Sequence, residues 1–134
     1  MAETIFAKII RKEIPADIVF ESDTVLAFKD INPKAPVHVL IIPKITELES
    51  AKDINSKDYA SLLADLFLAA NEVAKKLGVY ESGFRLVINS GADSGQEVPH
   101  LHIHLLGGRK LTWPPGWFLE IFPIWINILS ETFF

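Results

Sequence analysis

The chain has 134 residues and no cysteine, and its 13 Lys and Arg against 17 Asp and Glu give a formal net charge of −4. This charge excludes the strongly basic surface of non-specific nucleic-acid binders, and the missing thiols exclude disulfides, cysteine nucleophiles and cysteine-based zinc sites. With 49% apolar residues in the length of one domain, a folded enzyme or binding domain is expected. Residues 1–11 lack a long apolar signal region, so a cytoplasmic location is expected.

The first predicted element is a short helix, because apolar residues recur at helical spacing between Thr4 and Lys12. Two short strands follow, over 17–21 and 25–28, on either side of a Ser-Asp-Thr turn. The β-branched run 37–42, which lies between two prolines, predicts a buried strand.

A long amphipathic helix is predicted from Ser56 to Leu77, because apolar residues recur there at spacings of three and four. Ser56 is a suitable N-cap, and Gly78 is suited to the left-handed conformation after the last turn. Segments 84–89 and 99–106 are predicted strands. This order of elements predicts an α+β fold with a mainly antiparallel five-stranded sheet, one long helix and one short helix.

Residues 117–134 differ in composition from the rest, because 12 of these 18 residues are apolar and none is Lys or Arg. The breaker Pro114-Pro115-Gly116 precedes them. A membrane span needs about 20 apolar residues with basic flanks, so a span is not expected. We expect a domain over 1–116 and an atypical apolar tail over 117–134 that packs on protein, or else an end foreign to the fold.

Three histidines, His100, His102 and His104, alternate with Leu and Ile residues. On a strand, a period of two places the three imidazoles on one face and the aliphatic side chains on the other, where the long helix can cover them. His38 opens the 37–42 strand. Two functional interpretations follow, a zinc site or phosphate chemistry with an imidazole nucleophile.

The neighbouring loop favours phosphate chemistry over a metal. Segment 91–96 offers flexible backbone N–H groups, and Ser94, Gln96 and Asn89 offer side-chain donors, which together form a plausible anion site. A metal site would need carboxylate help, and the acids nearby are only Asp93 and Glu97. The sequence contains no Gly-Lys-Ser/Thr phosphate loop.

Two further residues have both a structural and a functional interpretation. Asp30 is an ordinary turn residue before Asn-Pro, or a carboxylate that accepts hydrogen bonds from a ribose diol. Trp113, next to the Pro-Pro-Gly breaker, is suited to a core or an interface.

The segment His-Leu-His-Ile-His-Leu-Leu over 100–106 resembles the signature of the histidine-triad (HIT) superfamily, in which apolar residues separate three histidines. Further segments resemble its Hint branch, and the resemblance extends over nearly all of 1–116. These segments are 5–15, 30–38, 42–44, 87–91, 95–96, 107–109 and 113–116.

This resemblance implies a metal-independent hydrolase without a cofactor, acting on purine nucleoside 5′-phosphoramidates as a homodimer whose sheet continues across the interface. It implies that His102 is the nucleophile, that His38, His100 and His104 orient it, handle protons and bind phosphate, and that Trp113 lies at the dimer and active-site rim. It also implies nucleotide-binding residues, which are Asp30 for the ribose, Phe6, Ile9, Ile14, Phe28 and Ile31 for the base, and Asn89, Gly95, Gln96 and Glu97 around the phosphate.

The sequence departs from the family pattern at three places. Glu97 stands where many relatives carry a serine, and an ionised glutamate cannot donate a hydrogen bond. The cysteine pair that helps some relatives bind structural zinc is absent, and the apolar tail has no counterpart. Alternative functions are a dinucleoside polyphosphate hydrolase of the same superfamily, or a nucleotide-binding scaffold whose hydrolysis is incidental; neither nucleic acid nor a membrane is an expected partner.

Overall fold

The computed structural model describes residues 3–116, and the predicted apolar tail lies outside the described residues. In chain order the elements are α1 (Ile5–Ile10), β1 (Ile18–Glu21), β2 (Val25–Lys29), β3 (Val37–Pro43), α2 (Ala60–Lys76), β4 (Phe84–Val87) and β5 (Ile103–Gly107). The five strands form one antiparallel sheet in the order β1-β2-β3-β5-β4. The predicted α+β fold, with a five-stranded antiparallel sheet, one long helix and one short helix, is therefore confirmed.

The two helices begin differently, because α1 has a side-chain cap and α2 has none. Thr4 caps α1 through its side chain. The prediction that Ser56 caps the long helix is wrong, because its hydroxyl accepts the Asp58 N–H and caps a short 3-10 turn over Lys57–Tyr59 that leads into α2. Gly78 has φ +78°, the left-handed conformation expected after α2. Among the described residues, no helix combines the length and apolar character needed to cross a bilayer.

One face of the sheet packs on α2. Alternate residues of β3 and β5 point to this face, and Val39, Ile41, Ile103 and Leu105 are all essentially inaccessible to solvent. Each such burial stabilises the fold by about 1.5–3 kcal/mol before conformational entropy is counted. The helix contributes its small and aliphatic residues, which are Leu66, Ala69, Ala70, Val73 and Ala74.

The opposite face is covered only in part, by α1. A second core forms there between α1 and strands β2 and β3, and it consists of Phe6, Ile9, Leu26, Phe28, Leu40 and Ile42. The register places further side chains of this face beside that core, with His38 opposite Leu106 and His104 opposite Leu40. A polar site therefore borders an apolar core on one side of the sheet.

The last strand is shorter than predicted. Its ladder begins at Ile103, so the predicted start at 99 is wrong, and β4 likewise ends at 87 rather than 89. The alternation of faces nevertheless extends through the irregular segment before β5. Leu101 joins the core under α2, whereas the rings of His100 and His102 lie 6.0 and 5.2 Å from the ring of Phe6 on the other side.

Candidate active site

A cavity of about 380 Å³ lies on the partly covered face of the sheet. Its floor comes from alternate residues of β3, β5 and β4, because each strand turns every second side chain to this face. Helix α1 and two loops, one after β2 and one before β5, form its sides. The lining residues are Phe6, Asp30, Asn32, Lys34, His38, Leu40, Val87, Asn89, Gly95, Glu97, Val98, His102, His104 and Leu106.

A chain of hydrogen bonds assigns the protons of two histidines. The Lys34 N–H donates to His38 Nδ1 at 3.0 Å, so this nitrogen acts as an acceptor and the neutral ring carries its proton on Nε2. His38 Nε2 lies 3.0 Å from His104 Nδ1 and donates to it. His104 then carries its own proton on Nε2, where it is a donor for a ligand.

His102 has the opposite tautomer. Its Nδ1 lies 2.6 Å from the carbonyl oxygen of His100, and because a carbonyl only accepts, Nδ1 carries the proton. The lone pair of His102 therefore lies on Nε2. The ring is held edge-on between Phe6 and His104, with centroid distances of 5.2 and 5.0 Å. An imidazole fixed in this way, with its lone pair on the atom not bound to the backbone, has the chemistry needed to attack an electrophile.

His100 lies outside the cavity, which corrects the expectation that all three imidazoles face a ligand. Its side chain is buried, and Nε2 donates to the carbonyl of Pro43 at 2.9 Å. The irregular backbone before β5 turns this ring into the protein, beside Phe6. His100 acts on the site through its main chain, because its carbonyl fixes the tautomer of His102.

Burial favours the neutral form of His38, His100 and His104. Burial, followed by the neighbouring His102 and His38, lowers the pKa of His104 to about 4. Burial also lowers the pKa of His38, against the opposing charge of Asp30, and that of His100. At neutral pH the rings of His38 and His104 are therefore uncharged, with fixed donors and acceptors.

Asp30 lies on the cavity wall and has a structural role as well. Its Oδ1 accepts the Asn32 N–H at 2.8 Å, which closes a turn, and its Oδ2 lies 3.5 Å from His38 Nε2. One potential ligand atom from each of Asp30, His38 and His104 lies within 4.8 Å of the other two, which is close enough for the three residues to hold a metal ion. Ile31, predicted for the base pocket, is instead 98% exposed and does not line the cavity.

Two predicted phosphate donors are engaged within the loop itself. The Ser94 hydroxyl donates to the Gly91 carbonyl at 2.6 Å. Gln96 Oε1 accepts the Gly91 N–H at 3.0 Å, and its Nε2 donates to the carbonyls of Glu49 and Val98 at 2.7 and 3.0 Å. Because both amide hydrogens bind main-chain carbonyls, Gln96 shapes the loop and has none left to donate to a phosphate.

The remaining predicted phosphate residues, Asn89, Gly95 and Glu97, do line the cavity. Gly95 has φ +84°, which explains a glycine at this position. Six residues that line the cavity were not predicted from the sequence. Leu40, Val87 and Leu106 could have been predicted from the strand period, because they share a face of the sheet with His38 or His104. Asn32, Lys34 and Val98 lie in loops, where no such periodicity applies.

The structure separates the rest of the predicted base pocket from the cavity wall. Phe6 lines the cavity, but Ile9 and Phe28 lie in the core beneath it and Ile14 packs against that core. The rings of Phe6 and Phe28 meet edge-on at 5.5 Å. Trp113 is 63% exposed and outside the cavity, so its place at a dimer rim stays a prediction.

Comparison with known proteins finds relatives that match most of the chain. A family model described as the HIT domain matches residues 11–111. An uncharacterized HIT-like protein of Synechocystis is 60% identical over 119 residues, which cover 87% of this chain and 100% of that protein. Adenylylsulfatase HINT1 of Arabidopsis thaliana is 50% identical over 113 residues, covering 84% of this chain and 76% of that protein.

Solved structures show the same fold. The crystal structure of a HIT family hydrolase from Legionella pneumophila superposes with a TM-score of 0.81 at 49% sequence identity. The superposition covers 85% of this chain and 100% of that chain. The structural similarity therefore extends over most of this chain.

Proposed function

From the premise that the chain belongs to the HIT family and is similar to its hydrolases, we propose that it cleaves the P–N bond of purine nucleoside 5′-phosphoramidates. The observation that carries this proposal is the tautomer of His102. Its Nδ1–H is held by a main-chain carbonyl, and its Nε2 lone pair is free in a residue that lines the cavity.

The chemistry takes two displacements at phosphorus. His102 Nε2 attacks the α-phosphorus, the N–P bond to the imidazole forms as the P–N bond of the substrate breaks, and the leaving nitrogen takes up a proton from water. Water then attacks the same phosphorus as the N–P bond to His102 breaks, which releases nucleoside monophosphate, and the proton that this water loses neutralises the hydroxide left by the first step. His104 donates from Nε2 to a phosphate oxygen, because the bond from His38 keeps that proton on the outer nitrogen.

The other groups of the cavity suit the two ends of a nucleotide. Asp30 offers a carboxylate for the ribose hydroxyls, and Phe6 and Leu40 offer apolar surface for a base. Asn89 and the backbone at Gly95 lie at the loop end of the cavity, where a phosphate would bind.

Glu97 favours an amine over an anion as the leaving group. Glu97 is an exposed residue at the cavity and, within residues 3–116, forms no ion pair. An ionised carboxylate repels a leaving phosphate or sulfate and tolerates a leaving amine. Phosphoramidates should therefore be better substrates than dinucleoside polyphosphates and than adenylylsulfate, the substrate indicated by the name of the Arabidopsis relative.

We propose that the protein forms a homodimer through β4. This strand is at one edge of the sheet, and its side chains are all partly exposed. An uncovered edge offers free N–H and C=O groups to the same strand of a second copy. Light scattering should give twice the chain mass, and a monomer that retains full activity would contradict this assembly.

We propose that the reaction needs no metal ion. Both ring nitrogens of His38 already form hydrogen bonds, Nδ1 with the Lys34 N–H and Nε2 with His104. These bonds fix the positions of the protons and leave neither nitrogen for an ion. Dialysis against a strong chelator should leave the rate unchanged. A rate that chelation abolishes and zinc restores would favour metal chemistry instead.

One assay separates the candidate functions. Adenosine 5′-phosphoramidate, a diadenosine polyphosphate and adenylylsulfate are compared at equal concentration by release of adenosine monophosphate. The proposal expects the highest kcat/KM for the phosphoramidate. Tight monophosphate binding with turnover no faster than background for all three would indicate the nucleotide-binding scaffold.

A further inference from the structure

Residue 34 connects the site to the segment that follows β5. The Lys34 N–H donates to His38 Nδ1 at 3.0 Å, and the Lys34 carbonyl accepts from Arg109 Nη2 at 2.9 Å. Both bonds use the main chain of this residue, so its side chain is not part of the link. Arg109 is thereby connected to His38 through a single backbone unit.

We propose that Arg109 is a positioning residue for the reaction, which holds the carbonyl of residue 34 so that the Lys34 N–H stays directed at His38 Nδ1. This inference rests on the proposed function for its kinetic part only. With the donor in place, the His38 proton remains on Nε2, His104 Nδ1 accepts it, and the outer nitrogen of His104 presents its proton to phosphate. Without the Lys34 N–H as donor, His38 is free to carry its proton on Nδ1, and His104 then loses the donor that fixes its tautomer.

The backbone before Arg109 supports this role. A Cβ added at Gly108, which has φ +89°, would lie 2.9 Å from the Cβ of Pro36. The segment after β5 therefore runs directly against the loop that carries residue 34. This close approach fixes the point from which the guanidinium reaches the carbonyl.

Arg109 has no competing task in the described part of the chain. It forms no ion pair there, its second hydrogen bond goes to the carbonyl of Lys110 next to it, and its side chain does not line the cavity. The residue is exposed and belongs to neither core. Removing its guanidinium should therefore leave the fold and the substrate contacts in place.

The test compares Arg109→Met with wild type and with two further variants. Arg109→Lys retains a cation that can donate to the carbonyl, and it should restore part of the loss. Lys76→Met is the matched control, because Lys76 donates to the carbonyl of Val19 at 2.7 Å, a bond that leads to no histidine. All four proteins are compared in kcat, KM and the ¹⁵N spectra of their histidine rings.

We expect Arg109→Met to lower kcat about five- to tenfold, the size of one net hydrogen bond, while KM changes less than twofold. The ¹⁵N pattern of His38 and His104 should change, and that of the Lys76→Met control should not. A wild-type ¹⁵N pattern in Arg109→Met overturns the proposal, whatever happens to kcat, and so does an equal loss in the control. If wild type fails to turn over any phosphoramidate, the proposed function fails, and the ¹⁵N comparison still decides the role of Arg109.

Discussion

The neutral state of His104 makes the stability of the fold depend on pH. Burial and the neighbouring His102 and His38 lower the pKa of His104 from 6.5 to about 4. Between these values the unfolded chain takes up a proton on this ring and the folded chain does not, so stability falls as the pH drops through that window. At about 1.4 kcal/mol per pH unit, the loss reaches about 3 kcal/mol near pH 4.

The variant His104→Gln tests this magnitude, because an amide keeps a donor and an acceptor but does not titrate. As the pH falls from about 7.5 to about 4, the free energy of unfolding of His104→Gln should rise by about 3 kcal/mol relative to that of wild type, at fixed protein concentration. Urea unfolding at a series of pH values measures this difference. Asn89→Ala, a change of a non-titrating residue in the same cavity, should keep the wild-type dependence on pH. If His104→Gln also keeps it, the ring is not held neutral and the proton assignment in the site fails.

Three further outcomes follow. Gln96→Ala removes three hydrogen bonds that shape the loop, each worth about 1 kcal/mol, so KM for the phosphoramidate should rise more than kcat falls in steady-state assays; an unchanged KM would contradict the loop's role. Asp30→Asn keeps the turn acceptor and loses the charge, so calorimetry should show binding of nucleoside monophosphate weaker by about 1.5–3 kcal/mol, whereas equal affinity would leave Asp30 a turn residue only. A chain ending at Gly116 retains both cores and the cavity, so light scattering should show a folded dimer and the phosphoramidate assay should show wild-type activity. Loss of activity would place the apolar tail in the site.

The sequence was sufficient for the fold and for the placement of the triad on one side of the sheet. The period of two separates Leu101, Ile103 and Leu105 from the three histidines, and this separation holds even though the strand proper starts only at Ile103. A face assignment depends on the parity of positions and not on where the hydrogen-bonded ladder begins. For this reason the error in the strand boundary did not change the face assignment, although the irregular backbone before β5 takes the His100 ring out of the cavity.

The parts that the sequence did not predict depend on main-chain groups. Nothing in the residue types indicates that the Lys34 N–H meets His38, or that the His100 carbonyl holds His102. Gln96 was a candidate phosphate donor because its side-chain amide can donate two hydrogen bonds. In the folded chain both of these bonds go to main-chain carbonyls. Side-chain chemistry identifies candidates, and only the folded backbone decides which of their atoms remain free.

The most direct measurement of the central claim is detection of the covalent intermediate. Wild-type protein is mixed with adenosine 5′-phosphoramidate, quenched in alkali during the first turnover and digested. The masses of the peptides are then measured by mass spectrometry. A nucleotidyl adduct on His102, absent from a folded His102→Ala protein that has lost turnover, is the predicted result. Turnover without any adduct, or an adduct on another residue, would contradict the assignment of His102 Nε2 as the nucleophile.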